Sequence, residues 1–252
     1  MASYLITGTS RGIGLAMART LASKPASEVS VIFAAARTQT EELKRLVAES
    51  SGRVKSVPID VENKASVRTA AATVEEALAG RGLDVLLNGV GIMPATPNGI
   101  ETMDDLDSVF HTNVISAHLV TSAFLPLLKN GIQKKVINIS TTLGSITMAP
   151  RFALFPVPAY KVSKAALNML TVQYAQSFVD QGFTFLTISP GWVKTGLGGD
   201  RADLTTEQSV QGILDIILPA TKEDNGKFFN IRVPGWEKAE GLNQYDGAEV
   251  PW

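Results

Sequence analysis

Tyr160 and Lys164 stand four residues apart in Tyr160-Lys161-Val162-Ser163-Lys164, at the start of a segment that reads as a helix toward Phe178. Residues four apart share a helix face, so a phenol and an ammonium can be aimed at one place. An ammonium nearby stabilises the phenolate and lowers a phenol pKa that is about 10 when unperturbed. A tyrosine tuned in this way can give and take a proton near neutrality. The competing reading is a solvated aromatic beside a surface charge, the ordinary state of such a pair on a helix. Hydroxyls precede the pair in Val136-Ile137-Asn138-Ile139-Ser140-Thr141-Thr142-Leu143-Gly144, where an apolar run ends in a polar turn. Far upstream, Thr7-Gly8-Thr9-Ser10-Arg11-Gly12-Ile13-Gly14 lies between an apolar run and a helical segment from Leu15 to about Ser23. Glycines allow a tight turn and close backbone approach to a pyrophosphate, and the helix N-terminus offers free N–H groups with a partial positive charge. The bland alternative is a strand-to-helix turn of any α/β protein.

These groups need a scaffold that brings residues 8–14, 140–144 and 160–164 together. Short β-branched runs alternate with longer amphipathic segments, the pattern of repeated βαβ units around a parallel sheet. Strands are expected at Tyr4–Thr7, Val29–Ala35, Val54–Ile59, Leu83–Asn88, Lys135–Ser140, Thr184–Ser189 and Lys227–Ile231, each buried on both faces. A long helix is expected over Asp104–Leu128, with acids at its start and Pro126 bending or ending it. The fold class is thus α/β, a Rossmann-type doubly wound parallel sheet of about seven strands with helices on both faces, and one domain over residues 1–252. Glycine- and proline-rich stretches follow predicted strand ends, where open α/β sheets bind ligands.

Composition narrows the partners. A net charge of −1 with mixed signs supplies no field for nucleic acid or anionic membrane. With no cysteine and only His111 and His118, no metal site is expected, and both histidines read as helix-surface or packing residues. The N-terminus lacks a charged n-region and no apolar run reaches membrane-spanning length, so a soluble, cytoplasmic protein is expected.

The Gly-x-x-x-Gly-x-Gly spacing, the Tyr-x-x-x-Lys pair and Ser189-Pro190-Gly191-Trp192-Val193-Lys194-Thr195 together resemble the short-chain dehydrogenase/reductase family, in order, from Tyr4 to Thr195. That resemblance implies a nicotinamide cofactor held by Gly8, Ser10, Arg11, Gly12, Ile13 and Gly14. Asp60 would hydrogen-bond the adenine amino group, Val61, Asn88 and Gly91 would also contact the cofactor, and Tyr160, Lys164, Pro190, Gly191, Val193 and Thr195 would border its nicotinamide half. Asp60 can equally cap the next helix, and Thr195 can do the same downstream. Asn88-Gly89-Val90-Gly91 departs from the family's Asn-Asn-Ala-Gly at Gly89 and Val90. Ala36 stands where an NAD-preferring member carries Asp, and Arg37 follows it. With Arg11, two guanidiniums able to grip a phosphate favour NADP(H) over NAD(H).

The resemblance also implies a catalytic set of Asn113, Thr141, Tyr160 and Lys164. Counting back three from Gly144 gives Thr141 as the hydroxyl that holds the carbonyl oxygen, with Ser140 in reserve. Asn113 would support a proton relay, or make a helix-to-helix hydrogen bond. Within the family, Gly144-Ser145-Ile146, Pro190-Gly191-Trp192-Val193 and the ending Tyr245-Asp246-Gly247 are similar to carbonyl reductases of the sniffer, C-factor and norsolorinic acid ketoreductase kind, some acting on aromatic or polyketide ketones. The expected substrate is a small carbonyl compound or its alcohol. Its walls would be Ile92–Thr96, the Thr142–Val157 loop and the Trp192–Asp203 segment, drawing on Met93, Thr142, Met148, Phe152, Phe155, Trp192 and Leu197, any of which can also be core beneath a loop. The resemblance further implies a homodimer or homotetramer. A non-catalytic NADP-binding sensor and a dehydratase or epimerase are the rival classes.

Overall fold

Apolar runs too short for helices but rich in Val, Ile and Leu pair side by side into one parallel sheet. A computed structural model describes residues 1–252. The strands are β1 (Ala2–Thr7), β2 (Val29–Ala36), β3 (Val54–Pro58), β4 (Val85–Asn88), β5 (Lys135–Ile139), β6 (Thr184–Ser189) and β7 (Phe228–Asn230). Their order is β3-β2-β1-β4-β5-β6-β7, and every pairing is parallel. The chain winds outward from β1 to β3, then returns to β4 on the other side of β1. A crevice opens at that reversal, beyond the C-terminal ends of β1 and β4.

Between the strands run α1 (Gly12–Ser23), α2 (Glu41–Glu49), α3 (Lys64–Leu78), α4 (Leu106–Phe110), α5 (Ser116–Lys129), α6 (Pro158–Ser177) and α7 (Thr206–Ile217). One face of the sheet packs on Leu15, Met17, Leu21, Leu43, Val210, Ile213 and Ile217 of α1, α2 and α7. The opposite face packs on Val67, Val74, Phe124 and Leu128 of α3 and α5, with Ala175 of α6. Each fully buried large side chain contributes roughly 1.5–3 kcal/mol, so two such layers account for a sheet whose central strands β1, β4, β5 and β6 are buried throughout.

The expected strands all form, with ends shifted by a residue or two. β3 departs from the expectation of burial on both faces: it is an edge strand, and Lys55 and Pro58 are exposed. The helix after the glycine loop starts at Gly12 rather than Leu15, which places Ile13 and Gly14 in its first turn. Residues 104–128 do not form one continuous α-helix. α4 gives way to a wide π turn at His111–Ile115 before α5 resumes. Pro126 does not end α5, because Phe124, Leu127 and Leu128 around it are buried and the Leu127 carbonyl accepts from Leu83 N–H at 3.0 Å. No helix is long and apolar enough to cross a membrane.

Candidate active site

The turn from β1 into α1 is built on backbone closeness that only glycine permits. A Cβ on Gly14 would lie 2.4 Å from the Gly8 carbonyl oxygen, so the first turn of α1 sits directly on the loop. Gly8 and Gly12 have φ of +79° and +60°, the left-handed region that side chains disfavour. No side chain caps α1 at Arg11, so its first N–H groups remain free of side-chain acceptors. Thr40 Oγ1 donates to the Ser10 carbonyl at 2.8 Å and ties the segment after β2 to this loop. Arg11 and Arg37 are both exposed, and neither is in an ion pair.

After β4, the two departures at Gly89 and Val90 acquire a reason. A Cβ on Gly89 would come within 2.8 Å of the Thr7 carbonyl, and Val90 packs where a Gly8 side chain would be. Gly91 faces Asn113 Oδ1 and Lys164 Nζ, at 3.2 and 3.5 Å from a Cβ built on it. Asn88 is turned into the interior instead: its Nδ2 donates to Thr121 Oγ1 at 3.0 Å and Asn138 Oδ1 at 2.8 Å. Asp60 does not cap α3. Asn63 does, accepting from Ala65 and Ser66 N–H, while Asp60 accepts from Glu62 N–H in a local turn and Val61 is buried.

α6 carries the phenol and ammonium on its inward face. Pro158 opens the helix, where its missing N–H costs nothing, and Tyr160 lies in the first turn with 7% exposure. Lys164 is buried at 3%, donates to the Ile139 carbonyl at the end of β5 at 2.7 Å, and has Nζ 5.7 Å from the centre of the Tyr160 ring. Burial depresses the Lys164 ammonium to about 8. The expected lowering of the Tyr160 phenol is not found: burial raises it above the ordinary phenol range. Desolvation penalises the phenolate, and the ammonium is directed at Ile139 rather than at the hydroxyl.

Asn113 sits inside the π turn and is 1% exposed. Its Nδ2 donates to the Ile92 carbonyl at 3.0 Å and Ser163 Oγ at 2.9 Å, and its Oδ1 accepts from Ile92 N–H at 2.8 Å. The side chain is therefore a clasp between the π turn, the β4 loop and α6. Thr141 is half-buried, with Oγ1 accepting from Leu143 N–H at 3.2 Å, whereas Ser140 is 2% exposed and donates to Asn168 Oδ1 at 2.7 Å. Of the two hydroxyls, Ser140 is committed to the interior, and Thr141 is the less buried. Residues 3–205 match the short chain dehydrogenase family.

The chain belongs to the short-chain dehydrogenase family. It is 34% identical to the short-chain dehydrogenase srdF of Neurospora crassa over 98% of this chain and 96% of that protein. It is 32% identical to the C-signal protein of Myxococcus xanthus over 68% of this chain and 93% of that one. Among solved structures, an NADPH-bound carbonyl reductase from chicken fatty liver superposes with a TM-score of 0.85 at 34% identity, covering 100% of this chain and 99% of that one. The carbonyl reductase Sniffer of D. melanogaster gives 0.86 at 29% identity, with 100% of both chains covered.

In this short-chain dehydrogenase the segment after β6 folds back over the glycine loop, where a Cβ on Gly12 would meet Thr195 Cγ2 at 3.3 Å. Thr195 does not cap α7; Thr205 does, in a reciprocal arrangement with Gln208. Pro190 accepts from Ser209 Oγ at 2.7 Å, Gly191 has φ of +80°, and Val193 is buried. A latch that sequence reading missed holds this segment down. Tyr245 Oη donates to Asp203 Oδ2 at 2.6 Å and accepts from Trp192 N–H at 3.1 Å, and Asn243 Nδ2 donates to Asp203 at 2.7 Å. Asn243 and Tyr245 thus pin the end of the C-terminal stretch to the segment after β6, with Trp236 beside Tyr245 at 5.5 Å between ring centres. Nothing local in the sequence links residues 192, 203 and 245.

The expected substrate walls divide. From the expected wall segments, Thr96, Ala153, Phe155 and Pro156 line a cleft of about 460 Å³ with Ile100, Pro158 and Val162. That lining includes neither Tyr160 nor Thr141, and Met93, Thr142, Met148, Phe152, Trp192 and Leu197 do not belong to it. Met93, Thr142, Met148 and Trp192 are half-buried, Leu197 is exposed, and Trp192 Nε1 donates back to the Gly198 carbonyl at 2.8 Å. Phe152, at 3% exposure, is core beneath its loop. His111 is exposed, and His118 Nδ1 pairs with Tyr174 Oη at 2.8 Å, away from the crevice.

Proposed function

We propose that this short-chain dehydrogenase reduces a ketone or aldehyde to an alcohol with NADPH. The observation that carries the reading is the placement, beyond the C-terminal ends of β1 and β5 with only β4 between them, of an uncapped glycine-lined helix N-terminus and the buried Tyr160–Lys164 pair. The loop fits a dinucleotide: Gly14 lets the first turn of α1 sit directly on the Gly8 backbone, and the N–H groups at the start of α1 have no side-chain acceptor, the arrangement that suits a pyrophosphate. Gly8, Ser10, Arg11, Gly12, Ile13, Gly14, Arg37, Asp60, Val61, Gly91, Tyr160, Lys164, Pro190, Gly191, Val193 and Thr195 would hold the cofactor, which supplies hydride when bound.

The protein's own residues supply the rest. The Thr141 hydroxyl donates to the carbonyl oxygen and holds it toward Tyr160. A β-branched side chain has few rotamers, so this donor is stiff. Tyr160, kept protonated by burial, gives its proton to the alkoxide oxygen as the C–O bond becomes single, and the Lys164 ammonium offsets the charge left on the phenolate. Asn113 fixes the β4 loop and α6 in register through Ile92 and Ser163. The elevated phenol suits reduction, where an acid is required, and makes Lys164 the group that sets the alkaline limb. Below about 8 Lys164 carries its proton. Raising the pH through that value removes the ammonium, so kcat/KM for carbonyl reduction is expected to fall with an apparent pKa near 8 rather than 10. A pH profile at saturating NADPH measures it, and a flat profile to pH 10 contradicts the role.

The cofactor preference rests on Ala36 closing β2 without a carboxylate and on exposed Arg11 and Arg37 flanking the Thr40–Ser10 tie. The chicken carbonyl reductase, a neighbour at 34% identity, is NADPH-bound, which supports the same choice. Hydrogen bonds to charged groups contribute about 1.5–3 kcal/mol, so replacing both arginines by alanine is expected to raise KM for NADPH by about 10–100-fold. KM for NADH should stay unchanged; an equal rise for both cofactors contradicts phosphate recognition. Carbonyl reductase neighbours support a carbonyl substrate. Val162 and Met169, exposed one above the other on α6, support pairing of two copies through that helix.

A further inference from the structure

α6 has a polar stripe that general helix packing does not explain. Ser163, Lys164, Asn168 and Thr171 are all buried on the side that meets the sheet and the β5 loop. Lys164 and Ser163 already have partners near the reacting groups. Asn168 stands one turn beyond Lys164, is 3% exposed, and reaches the β5 turn at both of its ends. Its Oδ1 accepts from Ser140 Oγ at 2.7 Å, and its Nδ2 donates to the Gly144 carbonyl at 3.3 Å. Between those anchors lies Thr141. The turn is also seated on the helix by Gly144, where a Cβ would lie 2.8 Å from Lys164 Cβ.

We propose that Asn168 is a positioning residue that fixes the Thr141 hydroxyl relative to Tyr160 and Lys164 by clamping Ser140 and Gly144 to the helix that carries both. The inference rests on the reading of Thr141 as the carbonyl-holding donor. Because a threonine side chain cannot search many rotamers, its hydroxyl goes where the backbone puts it. A displacement of about 1 Å at such a donor costs about 100-fold in rate, so a partial loosening of the clamp is expected to cost about tenfold. Ser140 thereby gains a role of its own: its hydroxyl sets the turn and does not touch substrate.

The test is a double-mutant cycle of Asn168→Ala and Thr141→Ala. Turnover is followed as NADPH consumption with whichever of phenanthrenequinone, menadione and nitrobenzaldehyde reacts fastest. In the parent background Asn168→Ala is expected to lower kcat by about tenfold, with the Kd for NADPH unchanged. In the Thr141→Ala background the same substitution should lower kcat less than about twofold, because the hydroxyl it positions is gone. Hydrogen exchange of the cofactor-free protein should quicken at amides 142–145 while α6 stays protected. Ser140→Ala, which removes one anchor only, should show the same non-additivity with a smaller loss, and it carries the test where Asn168→Ala folds poorly. Equal losses in both backgrounds, or unchanged exchange at 142–145, overturn the proposal alone. Full kcat in Thr141→Ala itself overturns it together with the assignment of Thr141.

Discussion

Tyr160→Phe is expected to lower kcat for carbonyl reduction by about 10²–10⁴-fold, the usual range for loss of a general acid, while the Kd for NADPH and the thermal midpoint stay close to those of the parent. The ring is 7% exposed and phenylalanine preserves its packing, so the substitution removes a proton donor and little else. Burial holds the phenol above its ordinary range, which means the parent hydroxyl is fully protonated wherever the enzyme is assayed. The loss should therefore be about the same at pH 6 and pH 7, both below the value near 8 at which Lys164 gives up its proton. Steady-state kinetics with a fluorescence titration of NADPH separates the two effects; undiminished kcat contradicts the acid role.

Gly14→Ala is the second large effect, and it acts on the opposite half of the site. A methyl there would lie 2.4 Å from the Gly8 oxygen and 2.8 Å from the Gly8 carbonyl carbon, both rigid backbone atoms. α1 must then move away from the loop that turns beneath it. Overpacking of this kind typically costs about 1–3 kcal/mol, which for a chain of this size lowers the thermal midpoint by about 2–10 °C. The free N–H groups move with the helix, so NADPH affinity should fall by at least about tenfold, an effect worth about 1.4 kcal/mol. Calorimetry and cofactor titration check both, and unchanged NADPH affinity would place the dinucleotide elsewhere.

The strands and the glycine turn were legible because each is encoded locally: β-branched runs for strands, glycines where φ turns positive, a proline at the head of α6. Thr141 was reached by counting from Gly144; that Ser140 is buried against Asn168 is a tertiary fact the count could not supply. Other features depend on residues far apart in sequence. The π turn that holds Asn113 has no local signature, and it interrupts what periodicity reads as one helix. Asn88 looks like a loop-facing polar residue until Thr121 and Asn138, 33 and 50 residues away, claim it. The direction of the Tyr160 shift is also a tertiary property, since a nearby lysine argues for lowering and burial reverses it. Asn168 and Thr171, one and two turns beyond Lys164, drew no notice in the sequence because polar residues on a helix are ordinarily solvated; only the sheet beneath shows that they are buried.

The central claim is hydride transfer from NADPH to a carbonyl carbon on this chain. NADPH carrying deuterium at the nicotinamide C4, on one face or the other, is incubated with the enzyme and an apolar ketone or quinone, and the product alcohol is analysed by mass spectrometry and NMR. The account predicts one deuterium in the alcohol from one labelled face only, with transfer lost in Tyr160→Phe. NADPH oxidation that leaves the product unlabelled, or no product from any carbonyl while NADPH binds, would contradict it.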